Sequence, residues 1–219
     1  MARRRSTSAP RIAAPALGPL VDGDPTALRP GGEVDGLRFG GLRLGALELA
    51  GARLIESQLE DVHADEADLS GARLSDVALD GVSLPVVRAI GTQWRDVRVT
   101  GRIGSLEAYE SSWRSVHLVG CKLSFVNLRG AELLDVLLEG CVVEELDLGG
   151  AALSRVRLAD TTVGRLDVQQ AQLADVDLRG ARLDDVTGVR DLRGATVSPA
   201  QLALLAPAIA AELGLRVED

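Results

Sequence analysis

Two histidines and two cysteines are the side chains of this 219-residue chain best suited to chemistry at a single site. His63 and His117 could act as general acid and base only if the fold brought them into one cleft with an oriented carboxylate. Both occupy outward polar positions of the repeat described below, in different rows, and Asp61 and Asp65 beside His63 read as solvated surface. Cys121 and Cys141 lie twenty residues apart. Stacked at strand spacing, their Cβ atoms would stand beyond the roughly 3.5–4.5 Å that a disulfide needs. Neither a histidine nor a second cysteine pair completes a metal-ligand set. Reduced, buried thiols and a cytoplasmic location are the expectation. With no glycine-rich phosphate loop and no serine-nucleophile motif, no catalytic, metal or cofactor site is expected, and the chain is not read as an enzyme.

The elements that would position any site follow from a five-residue pulse between about Leu37 and Val197. In Val116/Leu118, Cys121/Leu123, Val126/Leu128, Ala131/Leu133 and Val136/Leu138, a small or β-branched residue precedes a leucine by two. A helix would repeat its apolar positions every 3.6 residues and a strand every 2, and neither period fits. Residues two apart share one face of an extended segment, so each pentapeptide makes one wall and three residues turn a corner. Rows of like residues recur at about twenty. One is Val77, Val97, Val116, Val136, Val156 and Val176, another Leu106, Val126, Leu146, Leu166 and Val186. Small residues form the rows between, ending in one case Cys121, Cys141, Thr161 and Ala181. Four walls around a thin aliphatic core are therefore predicted, an all-β solenoid. The step from Val97 to Val116 is one residue short, and a second slip falls near Thr187 to Arg190. Trp94 and Trp113 follow positions where Ala89 and Ala108 stand for the usual leucine, which favours a core adjusted around two indoles over a ligand platform.

Wrapping the chain at this period also sorts its charges. The formal net charge is −8, and past residue 30 the 19 basic and 30 acidic side chains leave −11. Glu56, Glu60, Asp76, Asp80 and Asp96 form a candidate partner-binding acidic stripe on the valine wall and its corners, broken further along by Arg98, Arg155, Arg157 and Arg179. Arg53, Arg73, Arg95 and Arg114 gather on a candidate basic wall. Asp135, Arg155 and Asp175 stack at successive coils, where an exposed ladder of alternating sign contributes only about 0–1 kcal/mol per pair.

The unit Ala67-Asp68-Leu69-Ser70-Gly71 and its repetition resemble the pentapeptide-repeat proteins. The resemblance covers about three quarters of the chain. It implies a right-handed, four-sided β-helix with coils stacked at roughly 4.8 Å, here a rod on the order of 40 Å long. The centre of the unit is nearly always Leu or Val, with Phe39 a lone aromatic, whereas well-known family members use Phe often. Family members that bind DNA gyrase do so as acidic DNA mimics, and their C-terminal segment joins two rods into a dimer.

Three segments are expected: a flexible, basic, proline-rich tail over 1–30 with Arg3, Arg4, Arg5 and Arg11, the β-helix over 31–197, and a C-terminal segment over 198–219. Pro10, Pro15 and Pro19 interrupt the apolar stretch that an export signal would need, and no apolar run reaches membrane-spanning length. Ser198-Pro199-Ala200-Gln201 reads as a helix start. Leu202, Leu205, Ala206, Ile209 and Leu213 form an apolar stripe for capping the last coil or joining a homodimer, and Pro207 is predicted to split the segment into two short helices.

Composition and repeat point to a non-enzymatic protein-binding scaffold or adaptor on a rigid acidic rod. The alternative implied by the resemblance is a DNA mimic that binds DNA gyrase or another DNA-binding protein. Direct nucleic-acid binding through the arginines is opposed by the acidic body, because duplex DNA carries about one negative charge per 1.7 Å.

Overall fold

A computed structural model describes residues 6–216 and 218. Arg3, Arg4 and Arg5 of the predicted basic tail lie outside the described residues.

The pulse builds what its period requires. Strands from Val21–Asp22 to Ala195–Thr196 pair in parallel and wrap into a four-sided solenoid of about nine turns. The valine row is in direct register, Val77 on Val97, Val97 on Val116, Val116 on Val136, Val136 on Val156 and Val156 on Val176. A parallel ladder leaves each strand's backbone groups bonded to the coils before and after it, so the side chains alone decide which face is buried. Both apolar residues of each pentapeptide point inward: Ala131 and Leu133, Val136 and Leu138, Cys141 and Val143 are all buried. Burying a leucine stabilises by about 1.5–3 kcal/mol, and the core repeats that gain at every wall.

Both slips have a structural cause. At the first, Val82 pairs with Gly101, and the ladder shifts register between Leu79 and Val82 on one strand and between Thr100 and Arg102 on the next. The second marks the end of regular coil, where Gly188 opens a 3-10 turn over Val189–Leu192. Trp94 and Trp113 are buried and stacked on each other, ring centroids 4.7 Å apart, with Ala89 and Ala108 making room. They are core, and offer no surface platform.

The C-terminal segment differs from expectation in two ways. Helix α1, Pro199–Glu212, is continuous through Pro207. Pro207 and Ala203 are both exposed, so water can satisfy the carbonyl that loses its donor and the helix need not break. The packed face also differs from the predicted stripe. Leu205 is buried and Ile209 half-buried, but Leu202 and Leu213 are exposed. The residue beside Leu205 in contact with the coil is Gln201, whose amide donates to the carbonyls of Leu178 and Ala181 at 2.6 and 2.7 Å. The Leu178 carbonyl, which also accepts from the Ala181 amide, and the Ala181 carbonyl each take a donor from this buried amide that a leucine could not supply. The predicted capping box is present in both halves, Ser198 accepting from the Gln201 amide and Gln201 from that of Ser198. Among the described residues no helix is long and apolar enough to cross a membrane.

The N-terminal region was expected to be a flexible tail, yet from residue 6 to about residue 20 it lies extended along the outside of the rod before Val21 and Asp22 pair with Leu37 and Arg38 in the first coil. The contacts that hold it there belong to the corner described next.

Candidate binding surfaces

Each corner of the coil must turn the chain within a few residues, and three of the four do so through the left-handed region of backbone space. One corner is lined mostly by glycine, at Gly41, Gly81, Gly101, Gly120 and Gly140 with Asp61 and Asp160 among them, and so is another, at Gly51, Gly71, Gly91, Gly130 and Gly150 with Glu110 and Gln170. The third keeps side chains. Glu56, Asp76, Asp96, Ser115, Asp135, Arg155 and Asp175 stand one above another with φ from 43 to 58°. A residue with a Cβ costs roughly 1–2 kcal/mol in this conformation, least for Asp and Asn.

That corner is where the N-terminal segment lies. The backbone amide of Ala16 donates to Asp76 Oδ1 at 3.0 Å, that of Ala13 to Ser115 Oγ at 3.0 Å, and that of Arg11 to Asp135 Oδ1 at 2.9 Å. Gly18 passes close enough to Glu56 that a Cβ there would lie 3.4 Å from its carboxylate, and Thr7 reaches Thr196 through their hydroxyls. Three acceptors of this column thus hold main-chain donors from residues 60 to 124 positions away in sequence.

The acidic stripe is brought together on one side of the rod but is largely engaged. Asp76 accepts from Ala16 and from the Ser75 hydroxyl. Asp80 pairs with Arg98 at 2.9 Å and accepts from Gln58. Asp96 lies 3.8 Å from Arg95. Glu60 stacks on Asp80 by backbone register and is exposed. Further along, the expected ladder partner Arg155 grips Asp135 with two bonds of 2.6 and 2.7 Å, and Asp135 is only 7% exposed. This pair is therefore not the weak surface contact the sequence suggests. The Arg155 guanidinium, with the Arg11 amide, holds the Asp135 carboxyl below the usual carboxylate range against the opposing effect of burial.

The basic wall is also assembled. Arg53 stacks on Arg73 and Arg95 on Arg114 by Cα register. Arg95 donates twice to Ser75 Oγ, and Arg53 lies 3.5 Å from Glu33. Arg73 and Arg114 make no ion pair among the described residues.

The histidines are not brought together. His63 contacts Asp61 at 3.0 Å on the wall that continues through Ser83, while His117 contacts Glu139 at 3.0 Å on the wall of Arg98. Cys121 and Cys141 are free and buried, and the neighbouring Cys141 thiol together with burial pushes the Cys121 thiol well up. Each donates to backbone carbonyls, Cys121 to Val99 at 3.3 Å and Cys141 to Leu118 at 3.5 Å. Among the described residues no cluster of three or more His, Cys, Asp or Glu could hold a metal ion.

The sequence reading missed the N-terminal dock. The sequence carries only its ingredients, acidic residues at one-coil spacing in a corner whose neighbours mostly use glycine and prolines that stiffen residues 10–19, and no pattern that joins the two.

Among solved structures, the chain is similar to trypsin-treated QnrB1, a plasmid-mediated fluoroquinolone resistance protein, at 19% identity and a TM-score of 0.43, covering 90% of this chain and 95% of that one. Full-length QnrB1 matches at 15% identity and a TM-score of 0.31, with 91% and 98% coverage. HetL, a pentapeptide-repeat protein involved in heterocyst differentiation regulation in the cyanobacterium Nostoc, matches at 20% identity and a TM-score of 0.26, with 75% and 89% coverage. No curated protein matches the chain. The family model for pentapeptide repeats matches residues 48–84 in eight copies, and the same ladder carries the coil of that segment on to Thr187, so the fold is that of a pentapeptide-repeat β-helix.

Proposed function

We propose that this protein is a non-enzymatic binding scaffold whose outer walls engage a protein partner. The observation that carries the reading is the outward lattice: on a rigid parallel ladder, polar side chains stand in fixed register one rung apart, acidic on one side and arginine-rich on another. Solenoids present extended surfaces of this kind, and complementary charge speeds encounter and fixes orientation more than it adds affinity. The histidines, separated onto different walls, lend no support to acid–base chemistry. A cytoplasmic setting fits the two reduced thiols.

The second reading is a DNA mimic acting on gyrase. The net of −11 past residue 30 favours it. Arg98 on Asp80 and the N-terminal segment on Asp76 weigh against it, because a mimic must present charge as dense and regular as a duplex.

One experiment separates the two. A photo-crosslinking side chain is placed in turn at Glu60, Arg114 and Val142, which face outward on three walls, and purified gyrase is titrated in parallel in a supercoiling assay. A scaffold gives one salt-sensitive cross-linked partner from one wall, lost when the charges of that wall are reversed, and leaves gyrase unaffected. Inhibition of supercoiling that disappears in Asp76→Lys/Asp80→Lys/Asp96→Lys supports the mimic. Absence of a partner from every wall, with no effect on gyrase, overturns both.

A further inference from the structure

The side-chain-bearing corner matches an extended peptide in length as well as in chemistry. Successive rungs are about 4.8 Å apart, so Asp76 and Ser115, two rungs apart, are separated by about 9.6 Å. A polyproline II chain rises about 3.1 Å per residue and brings every third residue to the same side, about 9.3 Å along. Ala16 and Ala13 are three apart, and their amides meet those two acceptors. Arg11 meets Asp135 one rung beyond Ser115 after two residues, so the segment keeps pace with the rungs in overall length rather than in a strict threefold period. From Thr7 to Ala16 such a chain advances about 28 Å. The backbone register carries Ala78, beside Asp76, through Arg98, His117, Leu137, Arg157 and Asp177 to Thr196, six rungs or about 29 Å.

The segment is also lightly held. Thr7, Pro10, Ile12, Pro15 and Leu17 are half-buried, Arg11, Ala13, Ala14 and Ala16 are exposed, and none of residues 6–20 is buried. The coil it lies on is different in kind, with two buried side chains in nearly every pentapeptide. Hydrogen bonds of main-chain amides to a carboxylate or hydroxyl are each modest in water, so the segment can leave without opening the coil.

We propose that the corner of Glu56, Asp76, Asp96, Ser115 and Asp135 is a peptide-binding groove for an extended, proline-stiffened segment with small side chains and free amides two or three residues apart. Residues 6–18 of the chain occupy this groove in cis, and a partner's segment of the same chemistry binds by displacing them. The groove is distinct from the outer walls, and its test uses the chain's own peptide, so its failure would leave the wall reading standing.

The test keeps the full chain. Ala13→Pro/Ala16→Pro removes two donors from the docked segment and leaves the groove untouched. A fluorescent synthetic peptide with the sequence of residues 6–18 is titrated into this variant, into the unaltered protein, and into a variant that adds Asp76→Gly and Ser115→Gly. The expected result is saturable binding to the first, at least about tenfold weaker binding to the unaltered protein because the tethered segment competes at high effective concentration, and none to the third. A peptide N-methylated at the residues matching Ala13 and Ala16 should bind none of them. Absence of binding to the first variant, or equal binding to the first and third, overturns the proposal. Hydrogen exchange on the unaltered protein gives an independent reading. The Arg11, Ala13 and Ala16 amides should be protected, yet exchange faster than ladder amides such as Val136. Protection equal to the ladder, or none at all, would equally overturn it.

Discussion

Two neighbouring corners of the rod make the same backbone turn with different residues. Gly81, Gly101, Gly120 and Gly140 turn one corner, and Asp76, Asp96, Ser115 and Asp135 turn the corner five residues earlier, all at positive φ. The first accepts the penalty of a Cβ in left-handed space only at Asp61 and Asp160, the second at nearly every rung. In return the second has side chains to use: Asp135 holds Arg155, and Asp76, Ser115 and Asp135 take up the amides of the N-terminal segment. A corner made of glycine only turns the chain, whereas a corner made of aspartate turns it and presents an acceptor at nearly every rung.

The largest expected effect lies within the glycine corner and shows that its members are not equivalent. At Gly101, where the register slips, an added Cβ would lie 2.2 Å from the Val82 carbonyl oxygen and 2.6 Å from its nitrogen. At Gly120 the same atom would meet nothing within 4 Å. Gly101→Ala should cost about 3 kcal/mol or more, because backbone cannot move aside as a flexible side chain can. Gly120→Ala should cost about 1 kcal/mol, the left-handed penalty alone. Urea midpoints of the two variants check this. Equal losses would mean that the shortened coil relaxes and that the slip is not sterically fixed.

The next effect concerns the acidic corner and depends on pH. Arg155 above all lowers the Asp135 carboxyl below its ordinary value, and Arg179 does the same for Asp177. A folded-state pKa below the unfolded value of about 3.9 gives stability that is complete above that value and is lost as pH falls through the folded one. Asp135→Asn should therefore cost about 1–3 kcal/mol at pH 7, as expected for a charge-assisted bond in a partly buried site. The difference from the unaltered protein should shrink as pH is lowered below about 4. Denaturation midpoints at pH 7, 4 and 3 measure it, and a difference that does not change with pH would place the contribution of Asp135 in packing rather than charge. Arg155→Glu should be worse than a surface change, since it sets a carboxylate against Asp135 and next to Asp175.

The walls were legible because their signal is periodic and local. Valine on valine and alanine on alanine at twenty-residue spacing can be read from the letters, and the ladder places Val116 on Val136 accordingly. The corners were half legible. Asp76 and Asp96 read as members of a charge stripe because the letters carry no sign of φ, and Arg155 read as exposed because the turn that sinks Asp135 lies in the backbone. The N-terminal segment was not legible at all. Its prolines say that it is extended, but its partners are 60, 102 and 124 residues distant, and no local pattern encodes that contact. At the other end, the Ser198–Gln201 capping box could be read, while the burial of Gln201 in place of Leu202 follows from the needs of Leu178 and Ala181, which lie outside the helix.

The smallest expected effect is the sharpest test of the comparison, because it changes sign with the probe. Ser115 has φ of 57° and is 7% exposed, and its hydroxyl accepts from the Ala13 amide without holding an ion pair. Ser115→Gly makes one rung of the acidic corner into a glycine corner. The coil should gain up to about 1 kcal/mol, as the left-handed penalty disappears and outweighs the greater freedom of glycine in the unfolded chain. The N-terminal segment should loosen at the same time, with the Ala13 amide exchanging several-fold faster while ladder amides such as Val116 slow or stay unchanged. A midpoint shift upward with faster Ala13 exchange would mean that the serine is kept for the segment and not for the coil. If instead the coil weakened and Ala13 stayed protected, the two corners would differ in residue type without differing in role.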